Sequence, residues 1–83
     1  LLLMGKNGVD GVYNKDPNIY QDAKFYNRLS YHHAISENLK VMDLTAFALC
    51  QQAKLEIRVF DINKPNAIID VLNNKIKYTQ IKD

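Results

Sequence analysis

The stretch LLLMGKNGVDGVYNKDP, residues 1–17, sets an unbroken apolar run against a loop crowded with glycine and short polar side chains. Leu1 to Met4 has the character of a strand buried on both faces, as in a parallel sheet. From Gly5 onward the chain places Gly5, Gly8 and Gly11, two asparagines and two aspartates around the Val12-Tyr13 pair. Pro17 then biases Asp16 away from helix and closes the loop. Such a segment is either a tight surface turn or a loop that wraps a ligand, and the remainder of the chain bears on the choice.

Downstream, residues 18 to 28 are polar and aromatic without a clear period, which reads as an irregular excursion. Ser30 offers an N-cap for a short helix from Tyr31 to about Glu37, and Asn38 suits its left-handed C-terminal position. The strongest helical pattern covers Met42 to Lys54. Met42, Ala46, Leu49, Cys50 and Ala53 form one stripe, with Val41, Leu44 and Ala48 beside it, an apolar arc wide enough for more than one packing partner. Ile57 to Ile62, IRVFDI, is β-branched and aromatic, a second core strand. Pro65 suits the first turn of a further helix capped by Asn63 or Lys64, with Ile68, Val71 and Leu72 as its buried stripe. Ile76 to Ile81 alternates weakly and reads as a last strand. Strands separated by helices indicate an α/β fold, with mainly parallel pairing and right-handed crossovers. Ligands of open α/β sheets sit beyond the carboxyl ends of strands, and the loop at 5–17 leaves such an end. Topology therefore favours the ligand-wrapping reading.

Length and composition narrow the function classes. Eighty-three residues make one small domain or a piece of a larger one, burying roughly 60% of the unfolded surface. Hydrophobic residues at 47% and charged residues at 24% are ordinary for a soluble globular chain. No apolar run approaches the roughly 18 residues of a membrane span, and Leu1–Met4 lacks the flanks of a signal peptide. The lone Cys50 excludes an internal disulfide and fits a reducing cytoplasm. A net charge of +2, with lysines scattered among acids, describes a solvated surface rather than a nucleic-acid track. Residue 1 already lies inside an apolar strand, the expected look of a chain cut from something longer.

Within the loop, glycines would let a flat ligand approach the backbone, and Lys6 could meet a phosphate. Asn7 can donate and accept at a nucleobase edge, Tyr13 can lie against a base, and Asp16 can accept from an amine or a ribose hydroxyl. Against this stand plainer roles: a turn dipeptide at Asp10-Gly11, a core aromatic at Tyr13, and a turn-organising Asp16. The loop is neither GxGxxG nor a P-loop. His32 and His33 point about 100° apart on a helix and cannot share a metal, and Cys50 on the apolar stripe reads as packing.

The ordered words LLMGKNGVDGVYNKDP, DAKFYNRLSY, LKVMDLTAFALC and IRVFDINKP resemble the C-terminal part of the bacterial UMP kinase family, within the amino-acid kinase superfamily. The likeness runs from Leu2 to about Leu72. It implies that residues 1–83 are the nucleotide-binding part of an amino-acid-kinase fold. It also implies ATP-dependent phosphorylation of UMP to UDP with Mg²⁺, in cytoplasmic hexamers commonly inhibited by UTP and activated by GTP. By the same resemblance Asn7, Tyr13 and Asp16 match the contacts to the adenosine of ATP. The family's catalytic and UMP-binding segments lie upstream of these positions, so none of these residues is expected to be catalytic and the chain is expected to be inactive alone. His32-His33, Asp61, Asn66 and Tyr78-Thr79 depart from the family pattern, which usually has an acidic pair, Asn, Gly and Gly-Thr there. Asn66 can partly mimic glycine in a left-handed conformation. An aspartate-kinase-like enzyme, which usually has Thr-Asp in place of Lys6-Asn7, is one alternative, and a non-catalytic nucleotide- or nucleic-acid-binding module is another.

Overall fold

β-Branched and aromatic residues build the centre of the molecule. The computed structural model describes all of residues 1–83. Its four strands are β1 (Leu2–Lys6), β2 (Arg28–Leu29), β3 (Ile57–Asp61) and β4 (Thr79–Ile81), and its helices are α1 (Tyr31–Ser36), α2 (Leu44–Gln52) and α3 (Ala67–Leu72). One sheet runs in the order β1-β3-β4-β2. β3 pairs in parallel with β1, from Leu2 opposite Ile57 to Lys6 opposite Asp61. On its other side β3 meets β4 antiparallel, with Ile57 opposite Ile81 and Val59 opposite Thr79. β2 pairs in parallel with β4.

The α/β class and the mostly parallel sheet match expectation. The β3–β4 pairing does not. A helix between two strands reports only that the chain leaves the sheet, and β4 re-enters beside the end where β3 stops. β1 is also only half-buried, because it sits at the sheet edge. β2 starts at Arg28, the last residue of the stretch expected to be irregular, and two residues are too few to show a period.

Alternation along β3 sorts its side chains to two faces. Ile57 and Val59 join the larger core with Tyr31, Ala34, Phe47 and Ile81. Phe60 joins a smaller one with Ala67 and Val71. Packing against the larger core is completed by half-buried side chains, Cys50 among them.

The helix ends follow local chemistry closely. The Ser30 hydroxyl accepts from the His33 N–H at 2.9 Å, and Asn38 ends the turn at φ 55°. α2 starts later than its apolar period suggested, because the Asp43 carboxylate accepts from the Ala46 N–H and caps it there. Its buried face is centred on Phe47, whose ring packs 4.8 Å from that of Tyr31. The expected stripe through Leu49 is therefore wrong for this chain: Leu49 is 61% exposed and Leu44 68%. α3 differs too. Pro65 precedes the helix, and Asn66, left-handed at φ 58°, stands at the N-cap position in place of Asn63 or Lys64. Ala67 and Val71 face inward, whereas Ile68 and Leu72 are half-exposed.

Candidate functional site

The loop between β1 and β2 begins where Lys6 leaves the sheet edge, and Asp61 anchors it. Its Oδ1 accepts from the Gly8 N–H at 3.2 Å and from the Asn63 N–H at 3.0 Å. One carboxylate thus ties the start of the loop to the turn after β3. Gly8 adopts φ +75° with open space around it, a conformation that favours glycine. The other two glycines have a different cause from the one expected. A Cβ at Gly5 would lie 2.8 Å from the Ile62 Cβ, and one at Gly11 would lie 2.5 Å from the Thr79 hydroxyl and 2.6 Å from the Phe25 ring. Protein side chains, not a ligand, exclude a Cβ at both positions.

Thr79 is fully buried and holds the middle of the loop. Its Oγ1 accepts from the Val12 N–H at 2.8 Å and donates to the Tyr26 carbonyl at 2.6 Å. Residues 12–14 run antiparallel to 24–26, through Tyr26 N–H to Val12 O, Asn14 N–H to Lys24 O and a bridge between Tyr13 and Phe25. The Tyr13 and Phe25 rings meet edge-on at 5.3 Å. The Tyr13 hydroxyl donates to Asp10 at 2.7 Å. That bond raises the Tyr13 hydroxyl to about 12, so it stays protonated. Partial burial pushes the Asp10 carboxyl up, but the Tyr13 hydrogen bond and the Lys77 ammonium outweigh it and hold the pKa low.

Asp16 organises the far turn. Its Oδ1 accepts from the Asn18 N–H at 2.8 Å, while its carbonyl accepts from Ile19 and Tyr20. The plainer role weighed for it is therefore real, and it leaves the second carboxylate oxygen without a protein partner. Lys15 pairs with Asp22 at 2.8 Å and lies over the Tyr20 ring.

These turns surround a cavity of about 590 Å³. The loop contributes Gly11 to Asn18, β1 contributes Lys6, and the segment Asn38–Lys40 after α1 completes the lining. That segment is held by the Leu39 N–H bonded to the Ala34 carbonyl, a helix-terminating contact. Tyr13 and Asp16 are brought together here. Asn7 is not: it is exposed and lines neither this cavity nor the neighbouring hollow of about 270 Å³, which lies between Gly8, Asp10, Tyr13, Pro17, Asp61 and Lys64. Sequence reasoning missed Leu39 and Lys40 as lining residues, and missed Thr79 and Phe25 as the loop's supports. The left-handed Asn38 was visible as a helix end, but no local pattern says that the chain beyond it turns toward a loop more than 20 residues earlier. His32 and His33 take no part. His32 is exposed, and His33 pairs with Glu37 and meets the Tyr26 ring edge-on.

Residues 2–61 of this chain match the model of the amino acid kinase family. The chain is 57% identical over 79 residues to the uridylate kinase of Ureaplasma parvum serovar 3, a match covering 95% of this chain and 34% of that protein. Among solved structures it is similar to the UMP kinase of Ureaplasma parvum, with TM-score 0.95, 56% identity, and coverage of 98% of this chain and 34% of that one. It is also similar to the UMP kinase of Bacillus anthracis, with TM-score 0.86, 33% identity, and coverage of 98% and 33%. The chain thus spans about a third of the length of the relatives it matches.

Proposed function

Because this chain belongs to the amino acid kinase family, we propose that it is the ATP-side part of a UMP kinase, an enzyme that transfers the γ-phosphoryl group of ATP to UMP. The observation that carries the reading is the cavity at the carboxyl end of β1, which gathers Tyr13 and Asp16 on one wall. A parallel-strand terminus is where α/β sheets hold ligands. The Tyr13 ring gives a surface for a purine, and the partnerless oxygen of Asp16 gives an acceptor for a ribose hydroxyl or an amine. Asn7, one residue beyond the cavity-lining Lys6, would reach the nucleoside only if the ligand extended past the rim. Identity to proteins named uridylate kinase supports UMP as acceptor over the aspartate-kinase-like alternative.

Phosphoryl transfer requires cations and backbone donors around the moving group, and in this reading residues outside this chain supply most of them. No three His, Cys, Asp or Glu side chains converge as a metal site. In this reading Mg²⁺ would draw its ligands from the nucleotide and from residues outside this chain. Assembly into hexamers, a cytoplasmic setting and a role in pyrimidine nucleotide synthesis belong to the same proposal. No helix is long and apolar enough to cross a membrane.

Steady-state kinetics of the intact enzyme test the reading. Tyr13→Ala and Asp16→Asn are expected to raise KM for ATP by about tenfold while KM for UMP moves by less than about twofold. Equal effects on both substrates would remove the adenosine assignment.

A further inference from the structure

The two walls of the main cavity come from different parts of the chain, and one side chain reaches between them. Val12, Tyr13 and Asn14 belong to the loop after β1, whereas Asn38, Leu39 and Lys40 follow α1. Tyr26 is fixed to the first wall through its backbone. Its N–H donates to the Val12 carbonyl at 2.9 Å, and its carbonyl accepts from the Thr79 hydroxyl at 2.6 Å. The Tyr26 hydroxyl donates to Oε1 of Glu37 at 2.8 Å. Glu37 is the C-cap of α1, immediately before the second wall begins. His33 takes no part in the lining, but its Nε2 meets the other oxygen of Glu37, so both carboxylate oxygens are engaged. The Tyr26 hydrogen bond, followed by that of His33, holds the Glu37 carboxyl below its ordinary 4.5. The same bond to Glu37 pushes the Tyr26 hydroxyl above its ordinary 10.0. Near neutral pH, carboxylate and phenol thus keep the forms that pair.

We propose that Tyr26 and Glu37 are positioning residues, forming a clasp that sets the spacing of the two walls and so the readiness of the cavity for ATP. This role rests on the reading of the cavity as an ATP site. Neither residue lines the cavity, so the effect passes through Asn38–Lys40. The backbone bonds of that segment, from the Asn38 N–H to the Ile35 carbonyl and from the Leu39 N–H to the Ala34 carbonyl, stay within the end of α1. They fix the shape of the turn, and Leu39 packs it against the larger core. The bond from Tyr26 to Glu37 is the one hydrogen bond that joins this end of α1 to the loop. Without it the wall keeps its shape but loses its tie to the opposite side. A binding-ready arrangement populated only part of the time weakens apparent affinity by that fraction. Glu37 is 45% exposed, so water competes for the bond and the effect is modest.

The test is calorimetric titration of the intact protein, and of its variants, with ATP and with UMP. Tyr26→Phe, which keeps the ring and the backbone bonds, and Glu37→Ala should each weaken ATP by about threefold and leave UMP unchanged. The double variant should weaken ATP no further than either alone, because both remove the same bond. Glu37→Gln, whose amide oxygen can still accept from Tyr26, should retain most of the affinity. His33→Glu, which sets a second carboxylate one turn from Glu37, should weaken ATP as well. His32→Ala, at an exposed position, should change nothing. Cooperative melting shows that the variants fold. Clasp variants that leave ATP affinity intact, while Tyr13→Ala and Asp16→Asn still weaken it, would overturn the clasp and spare the adenosine reading. Losses that add in the double variant, or that fall equally on UMP, would overturn it too, since the residues would then act separately or by loosening the whole fold. Clasp-dependent binding of ATP by a protein indifferent to Tyr13→Ala and Asp16→Asn would uphold the clasp and discard the adenosine contacts. Failure of the parent to bind ATP would discard both.

Discussion

β3 and α2 look alike as sequence and behave differently as structure. Both are dense in apolar residues, yet Ile57 and Val59 of β3 are fully buried while α2 buries Phe47 and exposes Leu44 and Leu49. The difference is one of neighbours. β3 has a strand on each side and packed side chains on both faces, so its apolar residues Ile57, Val59 and Phe60 are enclosed whatever else surrounds the domain. α2 touches this chain along one narrow line. Apolar residues in an inner strand are sufficient for burial, whereas those on a wide helical arc are buried only when a second surface is present.

The largest effect should follow a cavity in the enclosed strand. Ile57→Ala is expected to cost about 2–5 kcal/mol in denaturant unfolding, since the site cannot collapse between two cores. A loss near that of a surface substitution would erase the contrast. Next comes Thr79, which adjoins β3 opposite Val59. Thr79→Val keeps the shape but strands the Val12 N–H and the Tyr26 carbonyl, at about 1–3 kcal/mol for each buried group left unpaired. Because those two groups pin the loop, the same variant should weaken ATP binding, and unchanged binding would show that the loop is held by other means.

A smaller effect is expected from pH. The Arg58 guanidinium lowers the pKa of Glu56 from its ordinary 4.5, against a weaker opposing push from burial. A carboxyl depressed in the folded state stabilises above its unfolded value and loses that contribution as pH falls through its folded value. Stability measured from pH 6 downward should therefore decline below about 4.5, and Glu56→Gln should remove part of that decline. An unchanged acid profile in the variant would mean that the pair contributes nothing beyond solvent screening.

Much of the contrast was legible locally and some could not be. Ser30, Asn38 and the run Ile57–Asp61 act within a few residues of themselves, and each appears where its own chemistry puts it. The loop's polar character pointed to one wall of the cavity through Tyr13 and Asp16. Its glycines were misread because their reasons are distant: Gly11 makes room for Thr79, and Gly5 for Ile62. The antiparallel entry of β4 and the turn of Asn38–Lys40 toward the loop are likewise decided by long-range packing. For α2 the period was read correctly and the inward face was not, because an apolar arc does not say which part of it this chain covers.

Leu49→Ala sharpens that last point and should have the smallest effect. With Leu49 61% exposed, truncation removes little buried area, and a change below about 0.5 kcal/mol is expected for this chain by itself. A cost of about 2 kcal/mol or more would require a cavity to form, hence a surface already lying over α2. Repeating the measurement over a range of protein concentrations separates the possible causes. A cost that grows with concentration would identify that surface as another copy of the chain, since association stabilises by mass action. A cost independent of concentration would mean that α2 packs more deeply against its own domain than Phe47 alone achieves, and the distinction drawn between strand and helix would fail.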